Sequence, residues 1–306
     1  MRVVFAGTPE AAVPSLAAIA AAGHDVLAVL SRPPAAQGRS SRLVPSPVQD
    51  WAERHGVAVL APERARDART VAALRELSPD CCPVVAYGQL LSRRLLDVPP
   101  RGWVNLHFSL LPAHRGAAPV QRSLMAGDEA TGATTFRIVP ELDAGPVFRT
   151  LRTTIKPSET AGELLARLAH DGAALLVDTL AAVEAGEEPV PQDEALGLSY
   201  AHKLEPDDVR LDWSRPASEL DRLVRGASPD PGAWTTLAGE RFKILRSTPE
   251  DGRATPGEIL PGRRTVHVGT GAGLLRLDTV QPVGRKPMPG ADWARGAHLP
   301  PTEWFR

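Results

Sequence analysis

Cysteine is almost absent from this sequence, which contains only the adjacent pair Cys81 and Cys82. Two neighbouring cysteines cannot build a disulfide framework, and they cannot surround a zinc ion with four ligands. Both kinds of cross-link are therefore excluded. Because the pair lies in an apolar run, we predict that both thiols are buried, and we predict no metal site.

Long apolar runs are also missing. No segment approaches the roughly 18 consecutive apolar residues that a membrane-spanning helix needs. The first residues, Met1–Gly7, lack the longer apolar run and the small-residue cleavage site of a secretory signal. We therefore expect a cytoplasmic protein with no membrane partner, and we expect it to be a monomer.

Runs of like charge do not occur, and the composition is balanced at 43% apolar and 23% charged residues. This balance is typical of a folded protein and excludes disorder as the main state. The length of 306 residues is about twice that of a typical domain. We therefore predict two domains.

The charge that is present is unevenly distributed. The formal net charge is −1, yet eleven lysines and arginines stand against six acidic residues between Arg241 and Arg306. A basic end on a nearly neutral protein predicts an anionic partner. A second basic segment, Ser31–Leu43, has no acidic residue and carries Arg39 and Arg42 among Pro, Gly and Ser. We predict a mobile basic loop there, without helix or strand.

The first half of the chain alternates between strand and helix patterns. The predicted strands are Arg2–Ala6, Val26–Leu30, Val57–Leu60, Cys81–Ala86 and Trp103–His107, and the predicted helices are Pro9–Ala22, Pro47–His55 and Ala65–Leu77. This alternation predicts an α/β domain with a Rossmann-like, mostly parallel sheet, whose ligands bind at the carboxyl ends of the strands. The turn after the first strand has one glycine where a dinucleotide fingerprint needs three, which argues against a nicotinamide or flavin site.

The second half changes character after a long helix. A strand pair is predicted at Thr134–Val139 and Val147–Thr154, and a helix at Thr160–Ala185 closes the first domain. Residues 191–205 have the composition of a linker. The remainder has one helix and several short strands between Gly and Pro turns, which predicts a smaller C-terminal β-barrel of OB-like type. We therefore predict domains at 1–190 and 206–306.

The densest group of chemically informative residues starts at Asn105 and His107. On a strand their two-residue spacing places both side chains on one face at its carboxyl end. A histidine on a strand is more often a satisfied core residue than a catalyst, so this reading of His107 stays open. An amide donor and an imidazole on one face could instead act together on a substrate.

Asp143 comes just before the turn Gly145–Pro146. An aspartate at such a position commonly bonds its own backbone as a turn-former, and that reading stays open as well. A carboxylate beside the imidazole would orient it, raise its pKa and let it act as both acid and base. Because Asn, His and Asp contain no nucleophile, the set fits direct transfer through a tetrahedral intermediate, with donors for the oxyanion.

The motif order Asn-x-His, Ser-Leu-Leu-Pro-x-x-Arg-Gly and Leu-Asp-x-Gly-Pro resembles the formyltransferase family that uses 10-formyltetrahydrofolate. Other segments are similar to the family members that act on methionyl-tRNA. These are residues 4–10 and 45–48, Tyr200–Leu204, Asp212–Trp213 and Gly284–Met288. The resemblance therefore runs nearly from end to end.

The resemblance implies Asn105, His107 and Asp143 as the catalytic trio. It implies folate binding by two segments, Ser109–Leu110–Leu111–Pro112 and Gln89–Leu90–Leu91, and makes 10-formyltetrahydrofolate the formyl donor. Arg115 either holds the glutamate tail of the folate or fixes its own loop. The basic loop would contact tRNA through Arg39 and Arg42.

The implied function is formyl transfer to the free amino group of methionyl-initiator tRNA by residues 1–190, with residues 206–306 binding tRNA. One alternative is a formyltransferase that acts on a small amine, glycinamide ribonucleotide or an amino sugar. Another is a folate-binding or nucleic-acid-binding protein without activity. The trio favours an enzyme over the second alternative.

Overall fold

The computed structural model describes residues 1–36, 42–297 and 304–306. The chain divides into two compact units. The first contains Met1–Gly116, Ala130–Thr154 and Leu165–Tyr200, and the second contains Ala117–Glu129, Ile155–Leu164 and Ala201–Arg306. This division is interleaved along the chain, whereas the predicted domains were two continuous segments. The predicted boundaries at 190 and 206 stay a prediction.

The first unit is built on a seven-stranded sheet. Its described strands are β1 (Arg2–Gly7), β2 (Asp25–Leu30), β3 (Ala35–Ala36), β4 (Leu43–Val44), β5 (Ala58–Leu60), β6 (Cys82–Val85), β7 (Trp103–His107), β8 (Ala130–Arg137) and β9 (Val147–Thr154). The sheet order is β5-β2-β1-β6-β7-β8-β9, and β3 pairs with β4 as a separate hairpin. The pairs from β5 to β7 are parallel, and β8 and β9 are antiparallel additions at one edge.

Helices connect the parallel strands. They are α1 (Val13–Ala21), α2 (Pro47–Arg54), α3 (Ala68–Leu77) and α4 (Arg93–Leu96). The chain winds from β1 towards β5 and then from β6 towards β9, so the direction of winding reverses between β1 and β6. Loops that follow strands on either side of such a reversal form the ligand crevice of open α/β sheets. The side chain of Thr8, after β1, donates to the carbonyl of Tyr87, after β6, at 2.9 Å.

One boundary error in the first unit concerns β8. It begins at Ala130, whereas the sequence pattern predicted Thr134. Gly132 hides the strand in the sequence because glycine weakens strand propensity. In the structure a Cβ at Gly132 would lie 1.9 Å from the carbonyl oxygen of Leu151, so the close approach of β9 admits only glycine.

The second unit contains an antiparallel sheet in the order β10-β11-β14-β13-β12, with β15 paired to β14. Its described strands are β10 (Ala233–Leu237), β11 (Glu240–Glu250), β12 (Ile259–Pro261), β13 (Val266–Gly269), β14 (Leu274–Pro282) and β15 (Met288–Pro289), and its helices are α5 (Pro119–Ala126), α7 (Ala217–Ala227) and α8 (Gly290–Gly296). The remaining helix, α6 (Ala161–Glu184), contributes its first turn to this unit. The core of this unit packs α7 on the sheet around Trp213, Phe242, Trp293 and Phe305.

The predicted fold class, a Rossmann-like α/β domain with a smaller C-terminal β domain, is confirmed. The C-terminal domain was predicted as a β-barrel of OB-like type, and the structure shows an antiparallel sheet there. Cys81 and Cys82 are free and buried, as predicted, and burial raises the pKa of Cys81 to about 12. Among the described residues, no helix has the length and apolar character required to cross a membrane.

Candidate active site

Asn105 and His107 lie at the carboxyl end of β7, the strand that the sequence predicted residue for residue. Their spacing sends both side chains to the same face of the sheet. His107 is 6% exposed and its ring meets the ring of Phe136 edge-on. The Asn105 amide is half-buried and has no hydrogen-bond partner among the described residues. A ligand at this strand end would therefore find an unused amide donor.

The position of the proton on His107 follows from one hydrogen bond. Nε2 of His107 lies 2.9 Å from the carbonyl oxygen of His114. Because a carbonyl oxygen only accepts, Nε2 must carry the proton and donate it. In the neutral ring Nδ1 is then unprotonated, and it lies 3.7 Å from Oδ2 of Asp143. The lone pair of Nδ1 is thus available to accept a proton next to a carboxylate.

Burial lowers the pKa of His107 below its ordinary value of 6.5. The carboxylate of Asp143 and the hydrogen bond to His114 raise it by less. The sequence analysis expected a carboxylate to raise this pKa, and Asp143 does raise it, but the net shift is downward because desolvation of the imidazolium outweighs one carboxylate beyond hydrogen-bond distance. The lowered pKa favours the neutral form of His107, in which the lone pair of Nδ1 can accept a proton.

Asp143 occupies the turn between β8 and β9 in a left-handed conformation with φ of 48°. That conformation costs a residue with a Cβ about 1 kcal/mol. Its Oδ2 accepts from the backbone N–H of Gly116 at 2.8 Å, across the site rather than within its own turn. The same turn needs Gly145, since a Cβ there would lie 1.7 Å from the carbonyl oxygen of Arg137.

Gln192 is a residue of this region that the sequence analysis missed. Its Nε2 donates to the carbonyl oxygens of Asp143 at 2.7 Å and of Gly145 at 2.8 Å. Gln192 lies 49 positions from Asp143 in the segment predicted to be a linker. No local pattern marks such a contact, because a glutamine in Pro- and Glu-rich sequence is typical of an exposed connection.

The side chain of Arg115 binds two other side chains of the protein. Its Nε and Nη2 donate to Oε1 of Gln192 at 3.1 and 2.7 Å, and Nη1 pairs with Glu194 at 3.0 Å. The side chain is 4% exposed. Of the two open readings of Arg115, this geometry favours the one in which it fixes its loop, although its partners are side chains rather than the backbone carbonyls that the sequence analysis named.

The predicted folate segment Ser109–Leu110–Leu111–Pro112 follows β7 directly and is tightly bonded within the protein. The fully buried Ser109 hydroxyl donates to the carbonyl of Ala113 at 2.6 Å. Thr134 bonds both the carbonyl of Ser109 and the N–H of Leu111. The segment therefore forms a fixed wall after β7, and folate contact by its residues stays a prediction.

The second predicted segment, Gln89–Leu90–Leu91, follows β6, the parallel neighbour of β7. Both polar atoms of the Gln89 side chain bond backbone groups of Pro62 and Ala65. Leu90 is 88% exposed, and Leu91 packs on the core. Among the described residues, the backbone N–H and C=O groups from Gly88 to Leu91 have no partners. This loop thus offers free backbone groups beside an exposed apolar side chain.

The basic loop is only partly described. Arg39 lies outside the described residues, and Arg42 is exposed. The described ends of the loop pair as the hairpin of β3 and β4, whereas the sequence analysis predicted no strand there. Residues 32–35 also line a cleft of about 370 Å³ together with Thr8 and Pro9, at the carboxyl ends of β1 and β2.

Comparison with known proteins shows which family this chain resembles. The family model described as "Formyl transferase" matches residues 1–180, and the model "Formyl transferase, C-terminal domain" matches residues 203–298. A methionyl-tRNA formyltransferase from Nocardioides sp. is 55% identical over 303 residues, which cover 98% of this chain and 96% of the relative. Another from Thermobifida fusca is 54% identical over 308 residues and covers 100% of this chain and 99% of the relative.

A solved structure with the same fold is HypX from Aquifex aeolicus in complex with tetrahydrofolic acid. Its TM-score is 0.67 at 19% identity, and the match covers 95% of this chain and 46% of that protein. At this identity the likeness establishes the fold alone. The family models and the relatives that match nearly the full length show the family: this chain belongs to the formyl transferase family, in its methionyl-tRNA formyltransferase branch.

Proposed function

We propose that this protein transfers the formyl group of 10-formyltetrahydrofolate to the free amino group of methionyl-initiator tRNA. The observation that carries the proposal is the group at the end of β7: the buried His107 lies 3.7 Å from Asp143, and the Asn105 amide has no partner among the described residues. The relatives that match nearly the whole chain bear the name of this activity. The small-amine alternative is not favoured by these relatives.

The chemistry of the described loops supports folate binding. A pterin ring has flat apolar faces and an edge of hydrogen-bonding groups, and the Gly88–Leu91 loop offers free N–H and C=O groups beside the exposed Leu90. When bound, the folate supplies a formyl carbon that an amine can attack. Gln89 contributes by holding its loop against the carbonyl of Pro62 and the N–H of Ala65.

His107 handles the proton of the attacking amine. Its Nδ1 is the unprotonated ring atom, because Nε2 donates to His114. An α-amino group has an ordinary pKa of about 8 and attacks in its neutral form. Its nitrogen becomes positively charged and much more acidic as the new carbon–nitrogen bond forms, so even a base with a lowered pKa accepts its proton. The proton then passes from Nδ1 to the nitrogen that leaves, and His107 is neutral again.

Asn105 and Asp143 stabilise the charges that develop in this step. The free amide of Asn105 donates to the formyl oxygen as it becomes an oxyanion. The carboxylate of Asp143, 3.7 Å from Nδ1, stabilises the imidazolium that exists while the proton is in transit. The transfer is direct and passes through a tetrahedral intermediate, with no covalent bond to the protein.

Binding of tRNA is proposed for two basic surfaces. One is the loop with Arg39 and Arg42 in the first unit. The other is in the second unit, where the guanidinium groups of Arg210 and Arg241 lie 5.3 and 4.1 Å from the ring centre of Trp234. Neither arginine has a carboxylate partner among the described residues. Guanidinium groups without a partner are available to phosphates.

The experiment that tests the function measures transfer of radiolabelled formyl by the purified protein. The acceptors are methionyl-initiator tRNA, methionyl-elongator tRNA, glycinamide ribonucleotide and an amino sugar. We expect rapid transfer to the initiator tRNA alone. Transfer only to a small amine would replace the proposal by the alternative, and folate binding without any transfer would make the protein a binding protein.

We also propose that the protein is a cytoplasmic monomer. Light scattering on the full chain tests the monomeric state.

A further inference from the structure

We infer that Gln192, held by Arg115, positions Asp143 against His107 through the backbone of the Asp143 turn. This inference rests on the proposed function, because it assigns a positioning residue for that reaction. Gln192 touches no reacting group itself. Its effect runs through the two carbonyl oxygens that it binds.

The contact between Gln192 and the Asp143 turn uses the full donor capacity of one amide. The NH₂ group has two hydrogens, and it binds two carbonyl oxygens of the turn, those of Asp143 and Gly145. Asp143 has left-handed backbone geometry that its side chain disfavours. Two hydrogen bonds at the turn therefore compensate for a conformation that the sequence alone would not select.

The orientation of the Gln192 amide is fixed by Arg115. A guanidinium only donates hydrogen bonds, so the atom of Gln192 that meets Nε and Nη2 of Arg115 must be the oxygen. The amide nitrogen must then face the turn. Because Arg115 is 4% exposed, water does not compete strongly for its donors, and the pair is stiffer than a surface contact.

The contacts close a ring around the catalytic pair. Arg115 reaches the backbone of Asp143 through Gln192, and the next residue, Gly116, donates its N–H to the Asp143 carboxylate. The residue before, His114, accepts from Nε2 of His107. Residues 114–116 therefore hold His107 directly and Asp143 from two sides. The distance of 3.7 Å between Nδ1 and Oδ2 depends on this ring.

Loss of Gln192 should move the carboxylate without removing any catalytic group. The titratable groups that face His107 are Asp143, which raises its pKa, and His114, whose charge lowers it. If the Asp143 turn relaxes, the pKa of His107 falls further, because burial remains and the compensating carboxylate moves away. The imidazolium formed during proton transfer also loses stabilisation, so kcat falls while folate binding does not.

The experiment compares three variants of the full-length protein. Gln192→Ala removes the tether, and Gln192→Glu keeps an acceptor for Arg115 but loses both donors to the turn. Glu194→Ala is the matched control, since Glu194 binds the same arginine and, among the described residues, makes no hydrogen bond to the turn. We measure kcat and KM for both substrates, and we follow the titration of His107 by NMR on protein with labelled histidine in the absence of substrate.

We expect kcat to fall about tenfold or more in both Gln192 variants, with KM for the folate within about twofold of wild type. We expect the pKa of His107 to be lower in Gln192→Ala than in wild type, and both properties to be unchanged in Glu194→Ala. A folded Gln192→Ala with the His107 titration of wild type would overturn the inference. So would a folded Gln192→Glu with the kcat of wild type.

The two proposals fail in different ways. If wild-type protein transfers no formyl group to methionyl-tRNA, the proposed function fails, but the NMR titration still tests the tether because it needs no substrate. If Gln192→Ala does not fold, Gln192→Glu carries the test. Its carboxylate pairs with Arg115, so this variant isolates the lost donors.

Discussion

Each unit of the protein has a partly buried polar network, and the two networks differ in how completely they are bonded. In the second unit, Asp221 accepts from Arg225 and from Ser247, and Arg225 also donates to the carbonyl of Glu159. In the first unit, Nδ1 of His107 accepts no hydrogen bond, and the Asn105 amide has no partner among the described residues. A completed network stabilises its fold, whereas free donors and acceptors at a strand end are available to a substrate.

The largest expected effect is on turnover, and it comes from a substitution in the network of the first unit, where His107 and Asn105 have free hydrogen-bonding groups. His107→Ala removes the base, and we expect kcat for formyl transfer to fall about a thousandfold, or about 4 kcal/mol. Folate affinity should change little, because the base acts on the proton in transit, whereas the free energy of unfolding should fall because removal of the buried ring leaves a cavity. Single-turnover formyl transfer, with folate binding measured separately, checks both parts. Near wild-type kcat would mean that the role is misassigned.

The pH profile of the wild-type protein tests how burial affects the pKa of His107. Because burial lowers the pKa of His107, we expect the part of the acid-side decline of kcat/KM that comes from His107 to lie below pH 6.5. The sign for stability is the same: the neutral ring is favoured in the folded state above the unfolded pKa, and this stability is lost as pH falls towards the folded pKa. An acid limb above pH 6.5 that disappears in His107→Ala would contradict the dominance of burial.

Asn105→Ala should have the next largest effect. Loss of one oxyanion donor costs about 3 kcal/mol in the transition state, with little change in KM, because the bond strengthens only as charge develops. Asn105→Asp is a useful companion, since it keeps the size of the side chain and replaces the donor with an acceptor. We expect both variants to be slow in a formyl transfer assay. Recovery of activity in Asn105→Asp would rule out oxyanion donation.

A substitution in the fully bonded network of the second unit should lower the stability of the protein and leave its turnover unchanged. Asp221→Ala leaves Arg225 and Ser247 without their shared partner, and we expect the free energy of unfolding to fall by about 2 kcal/mol. Chemical denaturation measures this loss, and kcat for formyl transfer below the unfolding transition should equal that of wild type. Arg295→Ala, which breaks an exposed pair with Asp292, is the control and should cost under about 0.5 kcal/mol. Equal stability losses in the two variants would erase the distinction between buried and exposed pairs.

The smallest of these effects concerns the basic loop. Replacing Arg39 and Arg42 together by Ala should lower kcat/KM for methionyl-tRNA about tenfold, because two charged contacts to the acceptor are lost. Folate binding should be unchanged. Steady-state kinetics with initiator tRNA at two salt concentrations measures the loss and its salt dependence. Unchanged kinetics would assign tRNA recognition to the second unit alone.

Much of the fold could be predicted from local patterns. The strand Trp103–His107 agrees with the structure at both ends, because it is a short run of strand-forming residues between turn residues. Helix α5 was missed, since its eight residues begin with Pro and include Gln, Arg and Ser, and so they lack a clear apolar stripe. Strand β8 began earlier than predicted, because Gly132 is required by the approach of Leu151 rather than by any local preference.

In the candidate site, too, some features follow from the local sequence and others follow from tertiary packing. The sequence by itself determined that Asn105 and His107 share a face, because the two-residue repeat of a strand is a local property of the backbone. Only the tertiary structure decided which carboxylate oxygen meets Nδ1, that Gly116 orients it, and that Gln192 binds the Asp143 turn from 49 positions away. It also decided the direction of the His107 pKa, since burial depends on all the segments that pack around the ring. Contacts between distant segments are set by the packing of the whole unit, and no local pattern of residues encodes them.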